Sequence, residues 1–222
     1  MTAARPALLG TAQEHAVAWL RRLIVSGALR PGQRVNQEDL AERIGLSVAT
    51  VREALRTLEQ EGQLTYRPRR GYLVTELRLA DLEEIYELRR VLEERAARHA
   101  LPLLDAATLE RVADAAADCV RAADAGDVAA ELEANRRFHF AILDVPSQPH
   151  AMRLIRLLWD STEVYRAMYY NSPAERRASL DAHDRILAAV RARDADRLVR
   201  ELDAHRKRAL AVLGALLDPA PA

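Results

Sequence analysis

Two short helical patterns set close together constrain this chain more than anything else in it. Gln37–Ile44 and Val48–Glu61 flank the three residues Gly45-Leu46-Ser47. Asn36 can cap the first helix, with Asp39 three residues on as a capping-box partner, and Ser47 can cap the second by accepting an orphan amide of its first turn. Leu40, Ile44, Val51, Leu55 and Leu58 fall at helical spacing and are expected to be buried. Ala49, Arg52, Glu53 and Arg56 are left on the opposite face of the second helix. A small side chain flanked by arginines suits a helix lying in a major groove, where arginine meets guanine edges or phosphates. After Glu61-Gly62 the period changes to that of strands: Leu64-Thr65-Tyr66 and Tyr72-Leu73-Val74-Thr75 surround Arg67-Pro68-Arg69-Arg70-Gly71. The pattern predicts a winged helix-turn-helix whose wing tip carries arginines toward a minor groove or the backbone. The plain alternative is a helical hairpin with solvated charges.

At 222 residues the chain has room for one or two domains, at roughly 150 residues each. Net charge is +0, which by itself argues against a generic nucleic-acid binder. The distribution of that charge along the chain argues the other way. Residues 1–77 hold 11 Lys and Arg against 8 Asp and Glu, and the remainder holds 22 against 25, so the positive excess lies where DNA would be. A single cysteine, Cys119, excludes an internal disulfide and fits a reducing cytosol. No apolar run approaches ~18 residues and the N-terminus lacks a charged-then-apolar signal, so no membrane partner and a cytoplasmic location are expected.

In chain order, residues 1–9 read as a loose arm, and Val17, Leu20, Leu23 and Ile24 mark a first helix that runs from Thr11 to near Gly27. Leu29-Arg30-Pro31-Gly32 is a turn. From Arg78 onward the pattern is wholly helical, with helices expected at about 80–100, 105–125, 127–143, 150–170, 174–192 and 194–217. The breakers are Pro102, Gly126, Pro146 with Pro149, and Asn171-Ser172-Pro173. The expected architecture is mostly α: a DNA-binding domain at 1–77, of three helices and a hairpin, then an all-α bundle of six to seven helices at 78–222.

Polar residues interrupt the apolar stripes of that bundle. Val128, Leu132, Asn135, His139 and Ile142 share a face; so do Leu180, His183, Leu187 and Val190; and so do Leu198, Leu202, His205, Ala209, Val212 and Leu216. Three histidines and an asparagine therefore point inward from three helices. Unpaired polar groups cost roughly 2–7 kcal/mol each in an apolar medium, so they should share partners. Neutral imidazoles and an amide oxygen on facing helices suit a divalent first-row ion, zinc or a nickel- or manganese-like one. Each histidine could equally be a satisfied core residue. Arg89 sits in the middle of a stripe formed by Leu82, Ile85, Leu92 and Ala96, and an arginine pointing into a bundle wants a carboxylate, either a structural Glu or a bound organic acid.

Leu29-Arg30-Pro31-Gly32, Leu40-Ala41-Glu42-Arg43-Ile44-Gly45-Leu46-Ser47, Val51-Arg52-Glu53-Ala54-Leu55, Leu58, Glu61-Gly62 and Arg69-Arg70-Gly71 with Val74 resemble the N-terminal domain of the GntR family of bacterial transcription regulators. Tyr86-Glu87-Leu88-Arg89 with Leu92-Glu93, Asn135-Arg136-Arg137-Phe138-His139, and the lone His183 and His205 resemble the FCD ligand-binding domain of the FadR-type subfamily. The resemblance implies Asn135, His139, His183 and His205 as metal ligands and Arg89 as a contact for a small carboxylate-bearing effector. It places Ser47, Ala49, Thr50, Arg52, Arg56, Arg69, Arg70 and Gly71 at the DNA. Two departures matter: Val48-Ala49-Thr50 stands where the family usually has Arg, Thr and Pro, and Asn135 replaces the commoner Asp. The expected protein is a dimeric repressor of a palindromic operator, not an enzyme, in which the effector shifts the placement of the two DNA-reading heads. The alternatives are a metal-dependent hydrolase and a direct metal sensor.

Overall fold

The computed structural model describes residues 11–145, 147–170 and 172–217. The expected arm at 1–9 and the breakers Pro146 and Asn171 lie outside the described residues. The chain divides into two compact units, Met1–Glu76 and Leu77–Ala222.

The first unit holds α1 (Ala12–Val25), α2 (Gln37–Ile44), α3 (Val48–Gln60), β1 (Leu64–Arg67) and β2 (Gly71–Val74). Each helix begins on a side-chain cap. Thr11 and Glu14 form a capping box on α1, Asn36 accepts the Glu38 amide at 3.1 Å on α2, and Ser47 accepts the Thr50 amide at 3.1 Å on α3. Such caps hold orphan first-turn amides at about 1 kcal/mol each. Gly45 closes α2 with φ +70, and its amide bonds back to Ala41 and Glu42. That left-handed residue turns the chain sharply enough for α3 to follow after two more residues. Leu20, Ile24, Leu40, Val51, Leu55 and Leu58 form the core, while Ile44 is half-buried at its edge. The strands pair antiparallel, Leu64 facing Val74 and Arg67 facing Gly71. Sequence reading missed a third rung: Arg34 forms an isolated bridge to Leu73, with the Val35 amide on Tyr72 O and the Val74 amide on Gln33 O, both at 2.9 Å. No local periodicity marks this rung, because it depends on a partner about forty residues away.

The second unit is a seven-helix bundle: α4 (Leu79–Ala100), α5 (Ala106–Ala125), α6 (Val128–Leu143), α7 (Pro149–Ser161), α8 (Glu163–Tyr170), α9 (Pro173–Arg191) and α10 (Ala195–Leu217), with a 3-10 turn at Leu101–Leu103. The single helix expected at 150–170 is two. Thr162 ends α7, its hydroxyl donating to Leu158 O and Trp159 O at 3.2 Å, so the side chain takes carbonyls that the next turn would have used. Phe138, Ile142, Leu143, Ile155, Trp159 and Leu198 lie at the centre of the core. Each large apolar side chain fully removed from water contributes about 1.5–3 kcal/mol. On α10, Leu213 is buried and Leu216, expected inward, is exposed. On α4 the buried stripe runs Leu82, Tyr86, Arg89, Glu93, Ala96, Ala97 and Ala100, with Ile85 and Leu92 half-buried beside it. Among the described residues no helix is long and apolar enough to cross a membrane.

Candidate DNA-reading head and ligand centre

On the first unit, α3 presents Ala49, Arg52, Glu53 and Arg56 to solvent, with Thr50 half-buried beneath them. Ser47 and Thr50 are joined hydroxyl to hydroxyl at 2.9 Å as well as through the cap, so both are engaged in starting the helix. The guanidinium of Arg52 donates from Nε to Gln37 Oε1 at 3.2 Å, and Arg56 pairs with Glu53 at 2.9 Å. Both are exposed contacts of the kind worth about 0–1 kcal/mol, weak enough to be exchanged for a phosphate or a base edge. Gln37, the first residue of α2, is the partner the sequence did not announce. At the wing the Arg70 amide bonds to Arg67 O at 3.0 Å, closing a turn with Pro68 and Arg69 at its corners. Arg69 has φ +67 and Gly71 φ +78. Positive φ at the third position after proline at the second defines a type II turn, where glycine is usual. Arg69, Arg70 and the neighbouring Tyr66 are exposed.

In the bundle, α6, α9 and α10 bring His139, His183 and His205 together, with one ring nitrogen from each within 4.8 Å of the others. Asn135, one turn before His139 on α6, places Oδ1 3.0 Å from His183 Nε2. Ring centroids lie 5.1–5.4 Å apart, and the His139 and His205 rings stack. Burial, reinforced by the neighbouring imidazole of His205, holds His139 and His183 well below the ordinary histidine value. Burial and then Arg89 push His205 down to about 4. All three are neutral at neutral pH, the form that donates a lone pair to a metal. Both ring nitrogens of His139, and Nδ1 of His183 and of His205, are buried with no hydrogen-bond partner in the protein. Buried nitrogens are ordinarily paired, so four orphans in one cluster fit an ion held by His139, His183, His205 and Asn135.

Arg89 is buried beside this cluster, and the structure gives it a structural glutamate: Nε donates to Glu93 Oε1 at 2.8 Å. Glu93 also accepts from Trp159 Nε1 at 2.7 Å and from Arg206 Nη2 at 3.1 Å. Burial pushes the Glu93 carboxyl up, but Arg89 and Arg206 outweigh it, and the net direction is down. Other buried residues of the bundle are not singled out by the sequence. Arg166 of α8 is buried over the Trp159 ring, its Cζ 4.3 Å from the centroid. Trp159, Glu163, Arg166 and Tyr170 recur at helical spacing, a stripe that could have been noticed. Glu131, one turn before Asn135, is buried with neither carboxylate oxygen paired, and burial pushes it up to about 7 against the pull of Arg176. His139, His205, Arg89, Arg166 and Arg206 line one cavity of about 30 Å³ with Trp159.

Comparison with known proteins agrees with this two-part plan. Residues 12–74 match the bacterial regulatory proteins of the gntR family and residues 84–208 match the FCD domain. The chain is 30% identical to the HTH-type transcriptional regulator McbR of Escherichia coli strain K12 over 79% of its length and 80% of that protein's. It is 28% identical to the uncharacterized HTH-type transcriptional regulator YdhC of Bacillus subtilis strain 168, covering 84% of each chain. The solved structure of E. coli McbR/YncC superposes with a TM-score of 0.80 at 28% identity, over 92% of this chain and 98% of that one. The protein belongs to the GntR family: it is a transcriptional regulator with a DNA-binding helix-turn-helix and an FCD effector-binding domain. These relatives are regulators and not enzymes, which sets aside the hydrolase alternative.

Proposed function

We propose that the protein is a dimeric repressor whose operator affinity is set by a small carboxylate-bearing metabolite bound beside a divalent ion in the bundle. The observation that carries this reading is the cluster of orphan imidazole nitrogens on His139, His183 and His205, with Asn135 alongside and Arg89 on the wall of the same cavity. An ion bound there would supply a Lewis-acidic coordination position for an effector oxygen. The chain's own residues keep the ligand imidazoles neutral and line the cavity beside them with the guanidiniums of Arg89, Arg166 and Arg206, which suit an anionic effector. Ser47 and Thr50 set the start of the reading helix, and Ala49, Arg52 and Arg56 reach the groove. Arg69, Arg70 and Gly71 form the wing that meets backbone or minor groove.

Dimerisation is supported by geometry as well as by the symmetry of operators. Leu88 and Val91 on α4 and Leu154 and Leu157 on α7 are exposed apolar side chains on two helices that pack against one another, and a second copy could cover them. One head reads one half-site, so a two-fold pair matches a palindromic operator.

The test uses the purified full chain. Metal analysis should find about one divalent ion per chain, and retardation of DNA from the regulator's own promoter should respond to chelator and to small organic acids. Protein that carries no ion and binds DNA identically under all these conditions would sink the reading. A second reading, direct metal sensing, is favoured by the cavity volume of about 30 Å³, space for an ion with one or two waters at roughly 10–15 Å³ each. Titration of operator binding with metal in the absence of any acid separates the two: a full response to metal alone selects the sensor.

A further inference from the structure

We propose that Arg166, rather than Arg89, is the residue that grips the effector's carboxylate, and that the acid spans from Arg166 to the ion across the face of Trp159. This rests on the reading of the bundle as an effector domain. Nε, Nη1 and Nη2 of Arg166 are all buried, and none has a hydrogen-bond partner in the protein. The residue is 5% exposed and lines the same cavity as His139 and His205. Glu163, one turn earlier on α8, supplies some opposite charge without bonding to the guanidinium. Arg89 and Arg206 differ in kind, since both are bonded to Glu93.

A guanidinium offers its donors in a planar fork that matches a carboxylate bidentately. Packing on an aromatic face orients the fork but satisfies none of its donors. Trp159 relates the two halves of the site: its ring centroid lies 5.2 Å from the His139 ring and 4.3 Å from Arg166 Cζ. A compact acid with its carboxylate on Arg166 can therefore present another oxygen at the histidine cluster. Tyr86, whose buried hydroxyl also lacks a partner, faces the same space and can donate to the acid. The cavity has room for only about two or three water molecules, so a bound acid is expected to push α8 away from α10, against which it packs. Ligand binding then favours a wider bundle over a closed one, which is the differential affinity a regulator requires.

The experiment uses full-length, metal-loaded protein with acetate, succinate and citrate as probes, each against chloride at matched ionic strength. At least one acid should raise the melting temperature of the wild type, and Arg166→Met should bind that acid roughly 10- to 100-fold more weakly while keeping its full metal content. Arg166→Lys keeps the charge without the fork, should fold if the methionine variant does not, and should retain only part of the response. Equal stabilisation of wild type and both variants would overturn the assignment to Arg166 and leave the effector domain standing. Failure of all three acids to stabilise the wild type would overturn the carboxylate reading, and this inference with it.

Discussion

In the first unit the arginines of α3 and the wing lie in solvent, and Gln63 is the buried polar side chain found there among the described residues. In the bundle, Arg89, Glu93, Glu131, Asn135, His139, Glu163, Arg166, His183 and Arg206 are all buried. The same residue types serve opposite ends. The head satisfies its backbone with caps and leaves its cations free to exchange water and weak surface partners for DNA. The bundle takes ionisable groups out of water, where each must be paired or held neutral. One surface is complete before its ligand arrives. The other holds buried ring nitrogens that have no partner in the protein.

The largest test of that contrast is Glu93→Ala. It strips the carboxylate shared by Arg89, Arg206 and Trp159 and leaves two guanidiniums buried without it, at about 3–5 kcal/mol. Hydrogen exchange should show the loss in α4, α7 and α10. An unchanged exchange pattern there would mean that the bundle tolerates buried charge as easily as the head tolerates exposed charge.

Metal removal comes next. An ion present at one hundred times its dissociation constant stabilises the folded state by about 2.7 kcal/mol, so chelation should lower the melting temperature accordingly. His183→Ala should lose most of the metal with little change in helix content by circular dichroism. If wild type and variant melt alike with and without chelator, the histidines are plain core residues.

Arg52→Ala addresses the head. Stability should stay within about 0.5 kcal/mol because the Gln37 contact is exposed. Operator binding should fall by about 1–3 kcal/mol at one base position if Arg52 reads an edge, or uniformly with a shallower salt slope if it touches phosphate. Loss of stability without loss of binding would reverse the roles assigned to the two units.

A test of pH dependence concerns Glu131. Its folded value, raised to about 7, exceeds the ordinary 4.5, so its contribution to stability is present below about 4.5 and is lost as pH rises through about 7. Glu131→Gln stays neutral throughout, so it should melt higher than wild type at pH 8 and equally at pH 4.5. The histidines act in the opposite direction. With folded values below 6.5, they remove stability as pH falls from 6.5 toward about 4 for His205. A melting profile from pH 4 to 8 on both proteins checks both signs.

Much of this was legible in the sequence, for local reasons. The bounds of α2 follow from a cap at Asn36 and a glycine at Gly45, both within one turn of the helix they delimit. His139, His183 and His205 could be placed on a common interior because each interrupts an apolar stripe of its own helix. The wing could be read from its change of period. What escaped was decided by tertiary contacts. Asp160-Ser161-Thr162-Glu163 is a polar stretch that a helix can also carry, and only the folded structure shows that the Thr162 hydroxyl ends α7 there. Arg89 and Glu93 stand four apart, as countless surface pairs do. Arg89 was expected to point inward, but only packing shows that Glu93 is the carboxylate it meets, that Arg206 joins it from α10, and that Arg166 is left over.

Arg69 at the wing tip sets two selections against each other. With φ +67, its backbone favours glycine or asparagine by about 1–2 kcal/mol, while its side chain adds a cation to the part of the head that is expected to meet DNA. Variants at position 69 sorted for heat resistance should drift to glycine, and variants sorted for operator occupancy should return to arginine. A sequence optimised only for a stable hairpin would give up the charge first. The arginine therefore records which of the two demands has weighed more at this turn.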